Sequence, residues 1–160
     1  GQAFPTSRKG MITLVQVEGV ILEPFNPLVV AIGLGATFVA RAYCGDKDNS
    51  VEILKAAIKH KGYALVDMLQ PCPSFNKENT YKWYKENTYY LDGDHDASDR
   101  EAAIKKSLEE DKLPLGIFYT SQKPVFHEQL HAYKYEKSPL WKRRNHDLGK
   151  LRELIESHKE

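Results

Sequence analysis

The 160 residues predict an α/β fold with a mostly parallel sheet flanked by helices. Three patterns carry that prediction. A β-prone run at 36–43, a helical run at 51–61 and a second β-prone run at 63–69 follow one another with short links, the order of a parallel βαβ unit. An apolar helix, opened by Asn26-Pro27, precedes them. A cysteine on the turn Pro71-Cys72-Pro73 follows the second strand directly, and prolines on both sides let it neither continue a strand nor start a helix. Its thiol therefore falls at a strand's carboxyl end, where open α/β sheets place their ligand crevice.

The elements run as follows. Met11 to Val17 is β-prone, and Gly19 to Pro24 is a connection. Asn26 caps the helix Leu28 to about Leu34, and Pro27 suits its first turn. That helix is apolar all round and is expected to be buried against the sheet. The strand Ala36–Tyr43 sets Phe38, Ala40 and Ala42 on one face. Ser50 is expected to cap a helix Val51–Lys61 with Val51, Leu54, Ala57 and Ile58 as its stripe, and Gly62 is placed to stop it. Tyr63–Leu69 is the next strand.

From Asn76 to Asp92 the chain carries Lys77-Glu78-Asn79-Thr80-Tyr81 and repeats it as Lys85-Glu86-Asn87-Thr88-Tyr89. One echo is too short for a solenoid, and the tyrosines with Trp83 read as a surface-laid segment anchored by aromatics. Ser98-Asp99-Arg100-Glu101 reads as a capping box for a helix to about Glu110. Leu113–Tyr119 is a last strand, and Pro114 favours an edge position for it. The tail from His146 to His158 has Leu148, Leu151, Leu154 and Ile155 at helical spacing, a stripe suited to docking on its own domain or on a partner subunit.

Bulk properties narrow the function classes. Charged residues make up 28% and balance to a net +1, so charge nominates neither nucleic acid nor membrane as a partner. No apolar run is long enough for a bilayer, and Gly1 to Gly10, polar and carrying Pro5, is no signal-peptide pattern. Two cysteines, Cys44 and Cys72, are too few for a disulfide scaffold, which points to a reduced, cytoplasmic setting.

Four constellations are candidates for chemistry. Cys72, taken alone, is either a small buried residue after a strand or one ligand of a site whose other ligands are elsewhere. One thiolate cannot hold an iron–sulfur cluster, which takes about four ligands, and the chain has no CxxC. His127-Glu128-Gln129-Leu130-His131 fits HExxH, which on a helix sets two imidazoles on one face for zinc. Here the turn-like Ser121-Gln122-Lys123-Pro124 precedes it and the segment is short and polar, so it reads as a chance match on a solvated face. Asp92-Gly93-Asp94-His95-Asp96 offers carboxylates and an imidazole, and more simply is a polar loop before the next helix cap. Trp141-Lys142-Arg143-Arg144 is basic and aromatic-flanked, yet Asp147, Glu153 and Glu156 follow closely, which favours a helix entry or subunit contact over phosphate binding.

The ordered set Gly1-Gln2-x-x-Pro5-Thr6, Phe25-Asn26-Pro27, Phe38-Val39-Ala40-Arg41, His60-Lys61-Gly62, Gln70-Pro71-Cys72-Pro73-Ser74-Phe75-Asn76 and Gly116-Ile117-Phe118-Tyr119 resembles the carboxyl-terminal part of the β subunit of 2-oxoacid:ferredoxin oxidoreductases. One segment departs from the family's pattern. Between Gly10 and Glu23 the family tends to a Thr-rich Pro-Gly loop, and here stands Leu14-Val15-Gln16-Val17-Glu18-Gly19.

The resemblance implies the carboxyl-terminal part of a thiamine-diphosphate-binding domain over residues 1–75, and a carboxyl-terminal extension completing it over 76–160. It implies that Gly1, Gln2, Pro5 and Thr6 lie beside thiamine diphosphate, and that Cys72 is the last ligand of a 4Fe–4S cluster. The other cluster ligands and the Mg2+ ligands would precede Gly1, while Cys44 would be a packing thiol. The implied reaction is oxidative decarboxylation of a 2-oxoacid such as pyruvate, with coenzyme A taking the acyl group and electrons passing to ferredoxin. The implied partner is the enzyme's α subunit, and this stretch alone is expected to be inactive. The alternative is a noncatalytic α/β subunit-interaction domain in which Cys72 is only a core thiol.

Overall fold

In a computed structural model describing residues 3–134, 136–143 and 147–159, Asn26 opens the first helix as its side chain predicts. Its Oδ1 accepts the N–H groups of Leu28 and Val29, each at 3.1 Å, at the start of α1 (Pro27–Gly33). Its Nδ2 donates to the Ser107 carbonyl at 2.7 Å, so one residue both caps a helix and ties it to the end of another. α1 is buried on one face only. Leu28 and Ile32 are fully enclosed while Leu34 is 86% exposed, because the sheet covers a single side of a seven-residue helix.

The residues fall into two compact units, Gly1–Lys123 and Pro124–Glu160. The first contains β1 (Phe38–Tyr43), α2 (Lys47–Lys59), β2 (Ala64–Leu69), α3 (Tyr81–Asn87), β3 (Thr88–Tyr90), α4 (Arg100–Ser107) and β4 (Leu113–Thr120). The sheet order is β2-β1-β4-β3. β1 pairs with β2 in parallel, Phe38 facing Ala64, and β3 pairs with β4 in parallel. β1 and β4 are antiparallel, so the sheet is mixed but mostly parallel, as expected.

Strand periodicity divides the core into two layers. Phe38, Ala40 and Ala42 pack with Ile53 of α2 on one face, joined by Ala64, Val66 and Met68 of β2. Val39 and Phe118 pack on the other with Leu28 and Ile32 of α1 and Ala103 of α4. Full burial of such side chains contributes about 1.5–3 kcal/mol each relative to exposure.

α2 begins earlier than the sequence suggests and is rotated. Its cap is Asp46, which accepts from Asn49 N–H at 3.1 Å. Ser50 lies inside the helix, buried, and its hydroxyl donates to the Tyr43 carbonyl at 2.7 Å. The helix therefore turns Ser50, Ile53 and Ala57 to the sheet and leaves Val51, Leu54 and Ile58 facing out, Ile58 at 83% exposure. The helix ends at Lys59, where His60 becomes extended, two residues before Gly62.

Other local expectations shift for identifiable reasons. Met11–Val17 is not a strand. Gly10 and Gly19, both at positive φ, bracket a reversal in which Gly10 N–H donates to Val20 O at 2.7 Å and Val20 N–H to Met11 O at 3.0 Å. The helix cap at α4 is Asp99, not Ser98, since the Asp99 carboxylate reaches Glu101 and Ala102 N–H while Ser98 is engaged by Asp96. β4 is an inner strand with Pro114 buried in it. β1 accompanies β4 only over 116–120 and β3 only over 113–115, so at Pro114 one side of the strand has no ladder and the missing N–H costs nothing.

The two copies of the five-residue echo have opposite duties. Thr80 starts α3 by accepting from Trp83 N–H, whereas Thr88 ends it, donating to the Tyr84 carbonyl at 2.6 Å. Tyr43 packs on Tyr81 and Tyr84, so the segment is anchored by aromatics as expected.

The second unit contains the single turns α5 (Phe126–Gln129) and α6 (His131–Lys134), a 3-10 turn at Leu140–Lys142, and α7 (Leu148–Glu156) capped by Asp147. Arg143 links Ala132, Glu136 and Ser138. It donates to the carbonyls of Ser138, Ala132 and Glu136 and lies 4.7 Å from the Tyr133 ring centre. Leu148, Leu151, Leu154 and Ile155 of α7 are all exposed. Among the described residues no helix is long and apolar enough to cross a membrane.

Candidate functional site

β2 delivers the chain to its carboxyl end at Leu69, and Pro71 is buried behind it. Cys72 then stands free and exposed. Asn76 N–H donates to the Cys72 carbonyl at 3.0 Å and closes the turn. The backbone N–H of Phe75, with those of Ser74 and Asn76, holds the Cys72 thiol below the ordinary cysteine range. Cys72 is therefore no buried core cysteine: its sulfur is open to solvent, and thiolate sulfur is a soft metal ligand. Cys44 is half-buried beside Tyr43.

The turn's shape comes from Asn76. Its Oδ1 accepts Glu78 N–H at 3.0 Å and Asn79 N–H at 2.9 Å, and its Nδ2 donates to Asn79 Oδ1 at 2.9 Å. Glu78 in turn meets Arg8, Nη2 to Oε2 at 2.7 Å, on an exposed surface. Arg8 follows the Phe4–Ser7 turn that carries Pro5 and Thr6, where Phe4 N–H donates to Ser7 Oγ and Phe25 N–H to the Pro5 carbonyl. Pro5 and Thr6 are exposed, and Gly1 and Gln2 lie outside the described residues. The Arg8–Glu78 pair thus bridges the stretch next to Pro5 and Thr6 to the Cys72 turn, two segments the sequence connects only through resemblance.

The other constellations resolve into structure. His127 and His131 sit on separate single turns, α5 and α6, with Leu130 extended between them at ψ 130°. The i, i+4 face that HExxH requires is therefore not formed. His95 donates Nε2–H to the Phe118 carbonyl at 2.8 Å. A register shift between β1 and β4 leaves Phe118 as an extra residue, so His95 supplies the partner that the ladder lacks there. Asp96 binds Ser98, and the loop is the polar connection expected of it. In the basic patch Arg143 is occupied by backbone carbonyls, and Arg144 lies outside the described residues. Among the described residues no group of three or more His, Cys, Asp or Glu is arranged to hold a metal ion.

Sequence reasoning missed one charged pair. Arg41 on β1 donates Nε–H to Asp67 Oδ2 on β2 at 2.8 Å, with 8% and 24% of the two side chains exposed. Its guanidinium also lies 5.8 Å from the Phe118 ring centre. Burial, then the Asp67 charge, raises the pKa of Tyr84. The detectable signal was an Arg inside a strand otherwise made of apolar residues.

Comparison with known proteins identifies what the chain is similar to. A family profile described as the carboxyl-terminal region of the pyruvate ferredoxin oxidoreductase β subunit matches residues 72–135, beginning at Cys72. A 2-oxoacid:ferredoxin oxidoreductase subunit beta from Sulfolobus sp. is 41% identical over 82% of this chain and 48% of its own length. Its counterpart from Saccharolobus solfataricus is 40% identical over 88% of this chain and 49% of its own. A solved structure of the 2-oxoglutarate:ferredoxin oxidoreductase from Magnetococcus marinus, with 2-oxoglutarate, coenzyme A and succinyl-CoA bound, superposes with a TM-score of 0.86 at 32% identity. That match covers all of this chain and 53% of the other. The chain spans about half the length of the curated relatives it matches.

Proposed function

Because the chain belongs to the family of 2-oxoacid:ferredoxin oxidoreductase β subunits, we propose that it is part of such a subunit and contributes one cluster ligand and part of a thiamine diphosphate pocket to the assembled enzyme. Joined to an α subunit, the complete β subunit oxidatively decarboxylates a 2-oxoacid, acylates coenzyme A and passes electrons to ferredoxin in the cytoplasm. Coenzyme A and 2-oxoglutarate in the Magnetococcus structure are the basis for naming the acyl acceptor and one substrate class.

The observation that carries this reading is the exposed Cys72 just past the carboxyl end of β2, at the first residue of the matched family region. Thiamine diphosphate with Mg2+ supplies the electron sink for decarboxylation, and a 4Fe–4S cluster supplies the one-electron path. The chain's own residues do simpler work. Cys72 offers one sulfur, Pro71 and Pro73 stop the strand so that this sulfur faces outward, and Pro5 and Thr6 present a small exposed turn on which a diphosphate can lie closely. Residues 1–75 carry these contacts, and β3 and β4 from the 76–160 extension complete the sheet. On this reading Cys72 is the single cluster ligand supplied by the 160 residues, and turnover is expected only from the complete subunit with its partner.

The test is Cys72→Ser in the complete two-subunit enzyme. We expect an altered cluster absorbance and spin-resonance signal and loss of 2-oxoacid-dependent dye reduction. An unchanged cluster removes Cys72 from the ligand set, and an intact holoenzyme that reduces no acceptor with any common 2-oxoacid overturns the functional reading.

A further inference from the structure

Between Cys72 and Thr80 the chain has no apolar packing to hold it. Cys72, Pro73, Ser74 and Phe75 are all exposed, Phe75 at 62%, and within this stretch only Asn76 and Asn79 are partly enclosed. Pro73 deprives the segment of one backbone donor, and Pro71 precedes it without one. What remains is one carboxamide. Asn76 uses both ends of its side chain, Oδ1 for two N–H groups and Nδ2 for Asn79, while its own N–H goes back to the Cys72 carbonyl. Lys77 also reaches the Pro73 carbonyl, but from an exposed position where water can replace it.

We propose that Asn76 is a positioning residue for Cys72, holding by its side-chain amide the turn that presents the sulfur to its cluster. This rests on the reading of Cys72 as a ligand. A cluster ligand must be held close to its productive geometry by partners that are themselves fixed, and hydrogen bonds to the sulfur tune the cluster's reduction potential. The first demand falls on this turn. Asn76 N–H closes it onto the Cys72 carbonyl at 3.0 Å, and the path of the chain from there is set by the Asn76 side chain, which holds the N–H groups of Glu78 and Asn79. Truncating Asn76 frees the two N–H groups at 78 and 79 and lets the turn open without touching Cys72 itself. The Arg8–Glu78 pair then loses its fixed base as well.

The experiment uses the complete two-subunit enzyme with Asn76→Ala, Asn76→Ser and Cys72→Ser. Its readouts are iron release to a chelator, the spin-resonance line shape and midpoint potential of the cluster, and thiamine diphosphate content. Loss of outer partners of metal ligands typically costs about tenfold or more in metal affinity. Asn76→Ala should therefore release iron about tenfold faster and change the line shape and potential. Asn76→Ser, whose hydroxyl can still accept from the turn, should lie between it and the native enzyme. Thiamine diphosphate content should be unchanged in both.

If Asn76→Ala leaves iron release and signal as they were while Cys72→Ser alters them, the inference fails and the ligand reading survives. If Cys72→Ser alters neither, both fall. Parallel loss of cluster and thiamine diphosphate in Asn76→Ala, with Asn76→Ser no better, makes Asn76 merely structural and also overturns the proposal. Should the Ala variant not assemble, Asn76→Ser decides on the same readouts.

Discussion

His95 Nε2 donates to the carbonyl of Phe118 across 2.8 Å, at the point where β4 carries one residue more than β1 can pair. A backbone acceptor fixes the imidazole's tautomer, because only a protonated Nε2 can donate to it. His95→Ala should cost about 1–3 kcal/mol, the penalty of leaving a buried carbonyl unmet. His95→Gln, which keeps a donor, should recover part of that. Urea unfolding of both variants checks the order.

Thr37 Oγ1 donates to the Tyr63 carbonyl at 3.2 Å and meets His60 Nε2 at 2.8 Å, so His60 is the donor in that contact. Gly62 makes room for it. Its φ is +142°, and a Cβ there would stand 2.2 Å from Thr37 Oγ1. Gly62→Ala should destabilise the chain by at least about 1 kcal/mol, through backbone strain and the displaced Thr37 together. The lowered midpoint of a denaturation curve is the measurement.

Asp67→Ala should be among the most damaging single changes in the sheet. It leaves Arg41 enclosed without its carboxylate, and breaking a buried pair costs about 3–5 kcal/mol, with the lower end expected because Asp67 is partly solvated. Arg41→Met combined with Asp67→Leu should be far milder than Asp67→Ala alone. A double-substitution cycle on unfolding free energies compares them.

Tyr90 donates its hydroxyl to Asp46, and burial followed by that hydrogen bond pushes its pKa up to about 12. The same bond, then Asn49 N–H, holds the Asp46 carboxyl below its usual range. The signs differ for the two partners. Tyr90 binds its proton more tightly when folded, so its contribution is complete below its unfolded pKa of about 10 and is lost as pH rises towards 12. Asp46 contributes above its unfolded pKa of about 4, and that contribution is lost as pH falls through the lower folded value. Tyr90→Phe should flatten the alkaline limb of stability against pH, and tyrosinate absorbance should lose its highest-pH step.

The zinc motif at His127–His131 should bind no zinc in stoichiometric amount, since its two imidazoles stand on separate turns. Elemental analysis of the chain, with His127→Ala and His131→Ala as controls, should give the same background in all three. One zinc per chain lost on His131→Ala would contradict this.

Local chemistry was legible where it was unambiguous. Asn26-Pro27 announces α1 because no other pairing of cap and first-turn residue fits there, and the alternation in Phe38–Tyr43 leaves one phase for β1. The place of Cys72 just past the end of β2 was legible because two prolines isolate it. Helix α2 was misphased because it is apolar on two sides. The expected stripe Val51-Leu54-Ala57-Ile58 competes with Ser50-Ile53-Ala57, which shares only Ala57 with it, and the buried Ser50 bond to Tyr43 decides between them through a contact the sequence does not display. β3 is three residues long and owes its existence to β4, so no local signal could reveal it. The Asn76 network, too, looked like ordinary loop polarity, although Asn in that motif was already in view.

β2 closes one side of the sheet, and among the described residues it is hydrogen-bonded along its length to β1 alone. Its far side is a six-residue row of backbone donors and acceptors beside half-buried side chains. Such a row accepts any extended peptide without demanding a particular side-chain shape. Handled as an isolated polypeptide, this stretch carries its own template for sheet-to-sheet association. Laid against a complementary strand, the same row becomes the seam through which the sheet grows wider.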